Sequence, residues 1–405
     1  MKKMSLVSIS GTSLLVLSLL CVLFLSEARA TQARATSPNT AKAWHIVPSP
    51  NVQANYNALN GVVALSTTNA WAVGQESSYP NPNQALSEHW NGTSWSIVPT
   101  PTVGTESAFN AVAQIPNTNH LWAVGSQFTN NLPQTLVERW NGTQWKVIPT
   151  PTLNGDPEAT TNIFYAVTAL STTDAWAVGV YFPNSSQPQV PLIEHWNGTV
   201  WSLVPGATPA NTGIGFLYGL VALSSNDVWA VGTYATQVSK EEMTLIEHWN
   251  GSTWSLISAP NPGSIANFLY SVTRVPGMKH LWAVGNYLSG GAYQTLTEYW
   301  NGNTWSVVAS PSPGTNGNGL QGVAAISATN VWAIGSYTSG NGDLNLIEQW
   351  NGTAWNLVAN PNPPNTNTTF LSAVTRIPAS GGDLWAVGNY YDSNNNQLTL
   401  TERYS

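Results

Sequence analysis

The sequence predicts an all-β fold: a seven-bladed β-propeller with four antiparallel strands per blade. An N-terminal strand, Trp44-Val47, is expected to complete the last blade and close the ring. Three observations predict this. A W-A-V/I-G phrase recurs seven times, with Trp71, Trp122, Trp176, Trp229, Trp282, Trp332 and Trp385 spaced 50 to 54 residues apart. All 20 Trp residues fall on equivalent repeat positions. The two ends of the chain carry complementary fragments of one repeat, the last repeat stopping at Thr401-Glu402-Arg403-Tyr404 and an orphan W-x-x-V standing before the first. Four-stranded units of this length, repeated so often, are the pattern of a propeller.

Within each repeat the elements follow in order. Strand a is an apolar run such as Tyr165 to Leu170, with a small residue at its centre (Gly61, Ala111, Ala166, Gly219, Ser271, Gly322 or Ala373) suited to a crowded inner strand. Strand b carries W-A-V-G. Strand c carries L-x-E-x-W, as in Leu192 to Trp196, and strand d carries W-x-x-V/I, as in Trp201 to Val204. Alternation of apolar and polar residues in c and d is the period of a strand. The c–d connection is Asn-Gly in six repeats, which predicts a type I′ hairpin turn. Pro48, Pro99, Pro149 and Pro205 follow strand d, where a ladder cannot continue.

Composition narrows the function classes. Of 405 residues only 8% are charged, against about 25% in an ordinary soluble domain. The formal charge is −7, with no basic stripe, which excludes nucleic acid as a partner. A single Cys excludes a disulfide scaffold.

Residues 1-30 read as a signal peptide. Lys2 and Lys3 precede an apolar run, Leu14 to Leu25, and Ala28-Arg29-Ala30 is a small-x-small cleavage pattern. Residues 31-43 form a polar linker, and 44-405 the propeller. The expected location is secreted or at the cell surface. A membrane enters only if the N-terminal segment stays uncleaved, since no later stretch is long and apolar enough to span one. The mature chain is expected to be a monomer.

W-A-V-G followed by N-G-x-x-W resembles the Asp-box (BNR) repeat of sialidase-like propellers. It is also similar to the W-A-V-G … D-G-G-x-T-W repeat of photosystem II assembly-factor propellers. The resemblance covers Trp44 to Tyr404 and implies the propeller fold. The Asp of the box is absent here, with the Asn of Asn-Gly in its place.

Function is expected on the face that carries the d–a and b–c loops, which vary between repeats while the strands do not. Charges outside the repeat pattern collect there: Glu76, Glu106, Asp156, Glu158, Glu241, Glu242, Asp343 and Asp392, against Lys240. Such a set suits cationic groups, a basic partner or Ca²⁺, or serves solubility alone. Arg274 and Arg376, ending strand a, are candidate ligand contacts at the lower rim. No His/Cys cluster with metal-ligand spacing occurs. One Glu recurs in every repeat (Glu88, Glu138, Glu194, Glu247, Glu298, Glu348, Glu402) and is read as structural, accepting hydrogen bonds from backbone or indole N–H. His89, His195 and His248 beside it are read the same way. Asn-Gly-Thr/Ser also matches the N-glycosylation sequon, an overlap that the turn imposes.

The expected function is a secreted, non-enzymatic propeller that binds a protein or glycan through this loop face. The alternatives are a sialidase-like glycoside-cleaving enzyme and a membrane-anchored cell-surface scaffold. A sialidase needs an Arg cluster for a substrate carboxylate, and no Arg lies in the variable loops.

Overall fold

The computed structural model describes residues 42–405, apart from 53–54, 78–80, 130–131, 152–160, 183–187, 208, 210, 239–240, 341 and 367. The expected signal peptide and most of the expected linker lie outside the described residues. Every regular element among those described is a β-strand. The first, β1 (Trp44–Ile46), is followed by β2 (Tyr56–Ser66), β3 (Asn69–Ser77), β4 (Gln84–Trp90) and β5 (Trp95–Ile97). Next come β6 (Ser107–Gln114), β7 (Leu121–Thr129), β8 (Leu132–Trp140), β9 (Trp145–Val147), β10 (Thr161–Ser171), β11 (Asp174–Phe182), β12 (Val190–Trp196) and β13 (Trp201–Leu203). Then follow β14 (Thr212–Ser224), β15 (Asp227–Thr236), β16 (Glu242–Trp249), β17 (Trp254–Leu256), β18 (Asn267–Arg274), β19 (Leu281–Ser289), β20 (Ala292–Trp300) and β21 (Trp305–Val307). The chain ends with β22 (Asn318–Ser327), β23 (Asn330–Ser339), β24 (Gly342–Trp350), β25 (Trp355–Leu357), β26 (Thr369–Arg376), β27 (Leu384–Tyr391) and β28 (Gln397–Tyr404).

Five quartets, from β6–β9 to β22–β25, are separate four-stranded antiparallel sheets in sequence order. The other eight strands form one sheet, in which β2–β5 and the set β26, β27, β28, β1 meet at a single parallel pair, Tyr56↔Gln397. Residues between β1 and β2 meet the start of β28: Thr399 N–H donates to Asn51 Oδ1 and Gln397 N–H to the Asn55 carbonyl, each at 2.9 Å. The orphan N-terminal strand does complete the last quartet: β1 pairs antiparallel with β28, with Trp44↔Tyr404 and Ile46↔Glu402 in register.

The core lies between sheets, not within them. Trp71 of β3 packs on Trp140 and Trp145 of the next quartet, at 4.6 and 5.8 Å between ring centroids. The same contact closes the circuit, because Trp385 of β27 meets Trp90 and Trp95 at 5.0 and 5.1 Å. Trp332 meets Tyr404 and Trp44 at 4.5 and 5.7 Å, so β1 supplies the indole that an outer strand supplies elsewhere. Edge-to-face and tilted indole pairs at such distances add to the area they bury. The innermost strands β2, β6, β10, β14, β18, β22 and β26 neighbour one another in a closed circuit, the arrangement of a β-propeller. The small residues at their centres are required. A Cβ on Gly61 would lie 3.0 Å from the Ala111 Cα, and one on Gly219 3.0 Å from the Ser271 Cα.

The c–d turns differ from the type I′ expectation. Four residues, not two, separate Trp90 from Trp95, and positive φ falls on Gly92 (101°) but not on Asn91. The Asn side chain builds the turn instead: Asn91 Oδ1 accepts from Thr93 N at 2.9 Å and Ser94 N at 3.0 Å. The same Asx turn recurs at Asn141, Asn197, Asn250, Asn301 and Asn351.

At that end of each quartet a polar clasp joins the start of strand b to strand c. Asp227 Oδ1 accepts from Trp229 Nε1 at 2.8 Å and lies 2.9 Å from His248 Nε2. Asp174–His195 (2.9 Å), Asn69–His89 (3.1 Å), His280–Tyr299 (2.6 Å), Asn330–Gln349 (3.0 Å) and Asp383–Arg403 (3.2 Å) fill the equivalent place. The His residues are therefore structural partners in this clasp.

The repeated Glu is fully buried, on the strand face that meets the neighbouring quartet. Its expected hydrogen bonds are largely missing. Glu247 accepts from the Ala207 N–H at 2.7 Å and Glu402 from the Asn345 amide at 2.9 Å. Both oxygens of Glu88, Glu138, Glu194, Glu298 and Glu348 have no partner, and most of the buried indole N–H groups are also unpaired. Burial pushes these carboxyls up, to about 7 for Glu247 and about 8 for the others, with the Ala207 and Asn345 hydrogen bonds opposing the rise at Glu247 and Glu402.

Candidate functional site

The inner strands enclose a channel of about 380 Å³ at the axis of the circuit. Each of them carries a β-bulge at the same place. In β14, Leu217 pairs with Gly232 and Gly219 with Val231, leaving Tyr218 without a partner in the ladder. The equivalent residues are Asn60, Asn110, Tyr165, Tyr270, Gln321 and Ser372. All of them line the channel. A bulge re-aims a side chain out of the ladder, and here it turns one variable side chain per quartet towards the axis.

The Gly of W-A-V-G makes room for this. A Cβ on Gly74, Gly125, Gly179, Gly285, Gly335 or Gly388 would lie 1.9–2.0 Å from a carbonyl oxygen of the adjoining inner strand. These glycines were visible in the sequence as a fixed letter. The residue just before the small centre of strand a was the varying one, and that pairing of a fixed Gly with a variable neighbour was the unread signal.

The ring of bulge residues has two halves. Tyr165, Tyr218 and Tyr270 occupy three successive strands, with centroids 5.1 and 5.5 Å apart. Phe216 stacks parallel to Tyr218 at 5.7 Å, and Phe268 parallel to Tyr270 at 6.0 Å. Phe182 and Tyr293 extend this wall towards the d–a and b–c loops. The other half carries amides and a hydroxyl. Asn60 Nδ2 donates to the Phe109 carbonyl at 2.8 Å and Asn110 Nδ2 to the Phe164 carbonyl at 2.7 Å, which fixes both amides along the ring.

Burial raises the phenols of Tyr165, Tyr218 and Tyr270, the last to about 12. Neighbouring phenols and the Glu242 carboxylate push Tyr218 and Tyr270 further in the same direction, while a hydrogen bond with Asn286 opposes the rise at Tyr270. These hydroxyls stay protonated and can both donate and accept.

Of the described acids singled out in the sequence, Glu242 lies near this wall. It is half-buried at the start of β16, and burial raises its carboxyl. Glu241 is exposed next to it. Glu76, next to last in β3, is half-buried and raised by burial, where most other quartets carry Tyr. Glu106 precedes β6, its carbonyl accepting from Phe128 N at 2.7 Å. Asp343 accepts from Thr338 Oγ1 at 2.7 Å across its own hairpin. Asp392 is held below the usual carboxylate range by the Asn396 amide and by Asn396 and Asn394 N–H, all within its own turn. Asp156 and Glu158 lie outside the described residues.

Arg274 and Arg376 stand exposed at the a–b turns, away from the channel lining. Arg274 Nε donates to the Met278 carbonyl of its own turn at 3.3 Å, and Arg376 borders a small depression with Pro378 and Gly381. Among the described residues, no three of His, Cys, Asp and Glu gather into a set that could hold a metal ion.

No protein-family model and no curated protein matches the chain. Solved structures do. A polysaccharide lyase of family PL25, an ulvan lyase, aligns over 88% of this chain and 94% of its own, with a TM-score of 0.56 and 11% identity. The ulvan lyase bound to -[GlcA(1-4)Rha3S]- aligns over the same shares, with a TM-score of 0.55 and 11% identity. A protein of unknown function from Dyadobacter fermentans aligns over 91% of this chain and 100% of its own, with a TM-score of 0.52 and 10% identity. At these identities the likeness is one of fold.

Proposed function

We propose that this chain is a secreted, seven-bladed propeller of degenerate Asp-box type that binds a glycan, without cleaving it, at the channel mouth on its d–a and b–c loop face. The observation that carries the proposal is the two-sided ring of bulge residues. A sugar presents an apolar C–H face and a rim of hydroxyls. The Tyr165–Tyr218–Tyr270 arc offers the first aromatic ring faces tilted 53° and 55° to one another, and Asn60, Asn110, Gln321 and Ser372 offer the second polar partners. Ligand sites are mostly apolar clefts with a few placed polar groups, in this size range. The ulvan lyase complex lends support, as a polysaccharide-bound protein of similar fold.

The non-enzymatic part rests on the character of the lining. Glycoside cleavage uses two carboxyls in different environments, and the described residues that line the channel include neither a carboxylate nor an arginine. The test is a glycan array probed with the wild-type protein and with Tyr218→Ala. Selective glycan capture, lost in the variant at unchanged thermal stability, is the expected result. Turnover of a bound oligosaccharide, or capture that ignores Tyr218→Ala, overturns the reading.

A further inference from the structure

The aromatic wall and the carboxylate beside it specify more than a sugar. Phe216–Tyr218 and Phe268–Tyr270 are two parallel aromatic pairs, with 4° between the planes in each, on adjacent inner strands. Glu242 stands where those two quartets meet. Its N–H donates to the Ile265 carbonyl at 3.0 Å, its carbonyl accepts from the Asn267 amide at 3.1 Å, and it bridges to Ala266. Strand alternation puts Glu242, Thr244 and Ile246 on one face of β16, and Ile246 packs against Leu269 and Val272 of the neighbouring quartet. Glu242 therefore faces the quartet that carries Tyr270, and the phenols of Tyr218 and Tyr270 both feel its charge. Among the described residues that line the channel there is no Lys or Arg.

We propose that the site selects a glycan bearing a protonated amine, with the sugar face on Tyr218 and Tyr270 and the ammonium at Glu242. This rests on the glycan-binding reading and specifies its ligand. A cation over an aromatic face is attracted by the ring quadrupole, more strongly where water is partly excluded, and the half-buried carboxylate adds a charge-assisted hydrogen bond. A uronate or sulfated sugar would place like charge against Glu242, which disfavours that class.

Calorimetric titration of the full mature protein with three probes tests this: a β-1,4-linked glucosamine tetramer, its N-acetylated counterpart and a galacturonic acid tetramer. The glucosamine tetramer is expected to bind at least about tenfold more tightly than the acetylated one. Glu242→Gln is expected to erase that preference while leaving acetylated binding in place. A preference that survives Glu242→Gln, or tightest binding of the galacturonate, overturns the inference and leaves the glycan reading standing. Tetramethylammonium bound as tightly as the glucosamine tetramer would show a small-cation site and overturns it too. Binding of every probe unaffected by Tyr218→Ala, or of none, removes both readings.

Discussion

The Phe216 carbonyl oxygen approaches the Gly232 Cα so closely that a Cβ on residue 232 would lie 1.8 Å from it. The contact joins the bulge that aims Tyr218 to the W-A-V-G phrase of the next strand. The phrase looks like a core motif, yet its last letter serves the channel.

Gly232→Ala is accordingly expected to push β14 and β15 apart at the bulge. A loss of more than about 2 kcal/mol, read from urea unfolding, is the expected cost, as for other overpacked backbone sites. Ligand binding at the Tyr218 arc should fall further than stability does. A near-neutral variant would show that the bulge is not held by this contact.

The buried carboxyls make stability fall with rising pH. Their folded-state values, about 7 to 8, lie above the ordinary 4.5. The stability they contribute is complete below about 4.5 and is lost as pH rises through about 8. The melting temperature should be highest in mild acid and decline towards alkaline pH. Glu298→Gln, a neutral isostere at a site with no hydrogen-bond partner, should leave the acid value nearly unchanged and flatten the decline. A melting temperature that rises between mild acid and pH of about 8 contradicts the assignment.

Asp227 accepts from an indole and an imidazole at once. Asp227→Ala leaves both without that partner and is expected to cost about 1–3 kcal/mol. Asp227→Asn should restore most of it, because Asn69 Oδ1 serves Trp71 Nε1 and His89 Nε2 at 3.1 Å each in the equivalent clasp. Comparing the two variants by chemical denaturation separates the hydrogen bonds from the charge.

Trp44 is buried between Trp332 and Tyr404. Trp44→Ala is expected to destabilise the whole ring by about 3–5 kcal/mol, seen as a single shifted transition. A separate early transition of the last quartet alone would argue against closure acting on the ring as a unit.

Strand order and the place of β1 were readable in the sequence because they follow from side-chain period and from fixed Trp positions. Three features were not readable. The type I′ reading of Asn91-Gly92 came from the dipeptide alone, while the turn is set by the Asn91 side chain reaching two and three residues ahead. Buried carboxylates usually have hydrogen-bond partners, yet both oxygens of Glu298 lack one. The ring of channel residues is invisible to composition, which shows charge and cannot show a bulge. Tyr218 looked like one more apolar strand residue until register placed it outside the ladder.

The pairing of Trp44 with Tyr404 bears on how this molecule comes apart. In a linear array of repeats the end units have one neighbour each, so unfolding starts there and spreads. A closed circuit has no such unit. Opening it anywhere exposes two sheet interfaces before any entropy is recovered, and that places a barrier in front of every unfolding route. With a single Cys and so no internal disulfide to hold it, such a ring is expected to persist through slow unfolding more than through a large equilibrium stability.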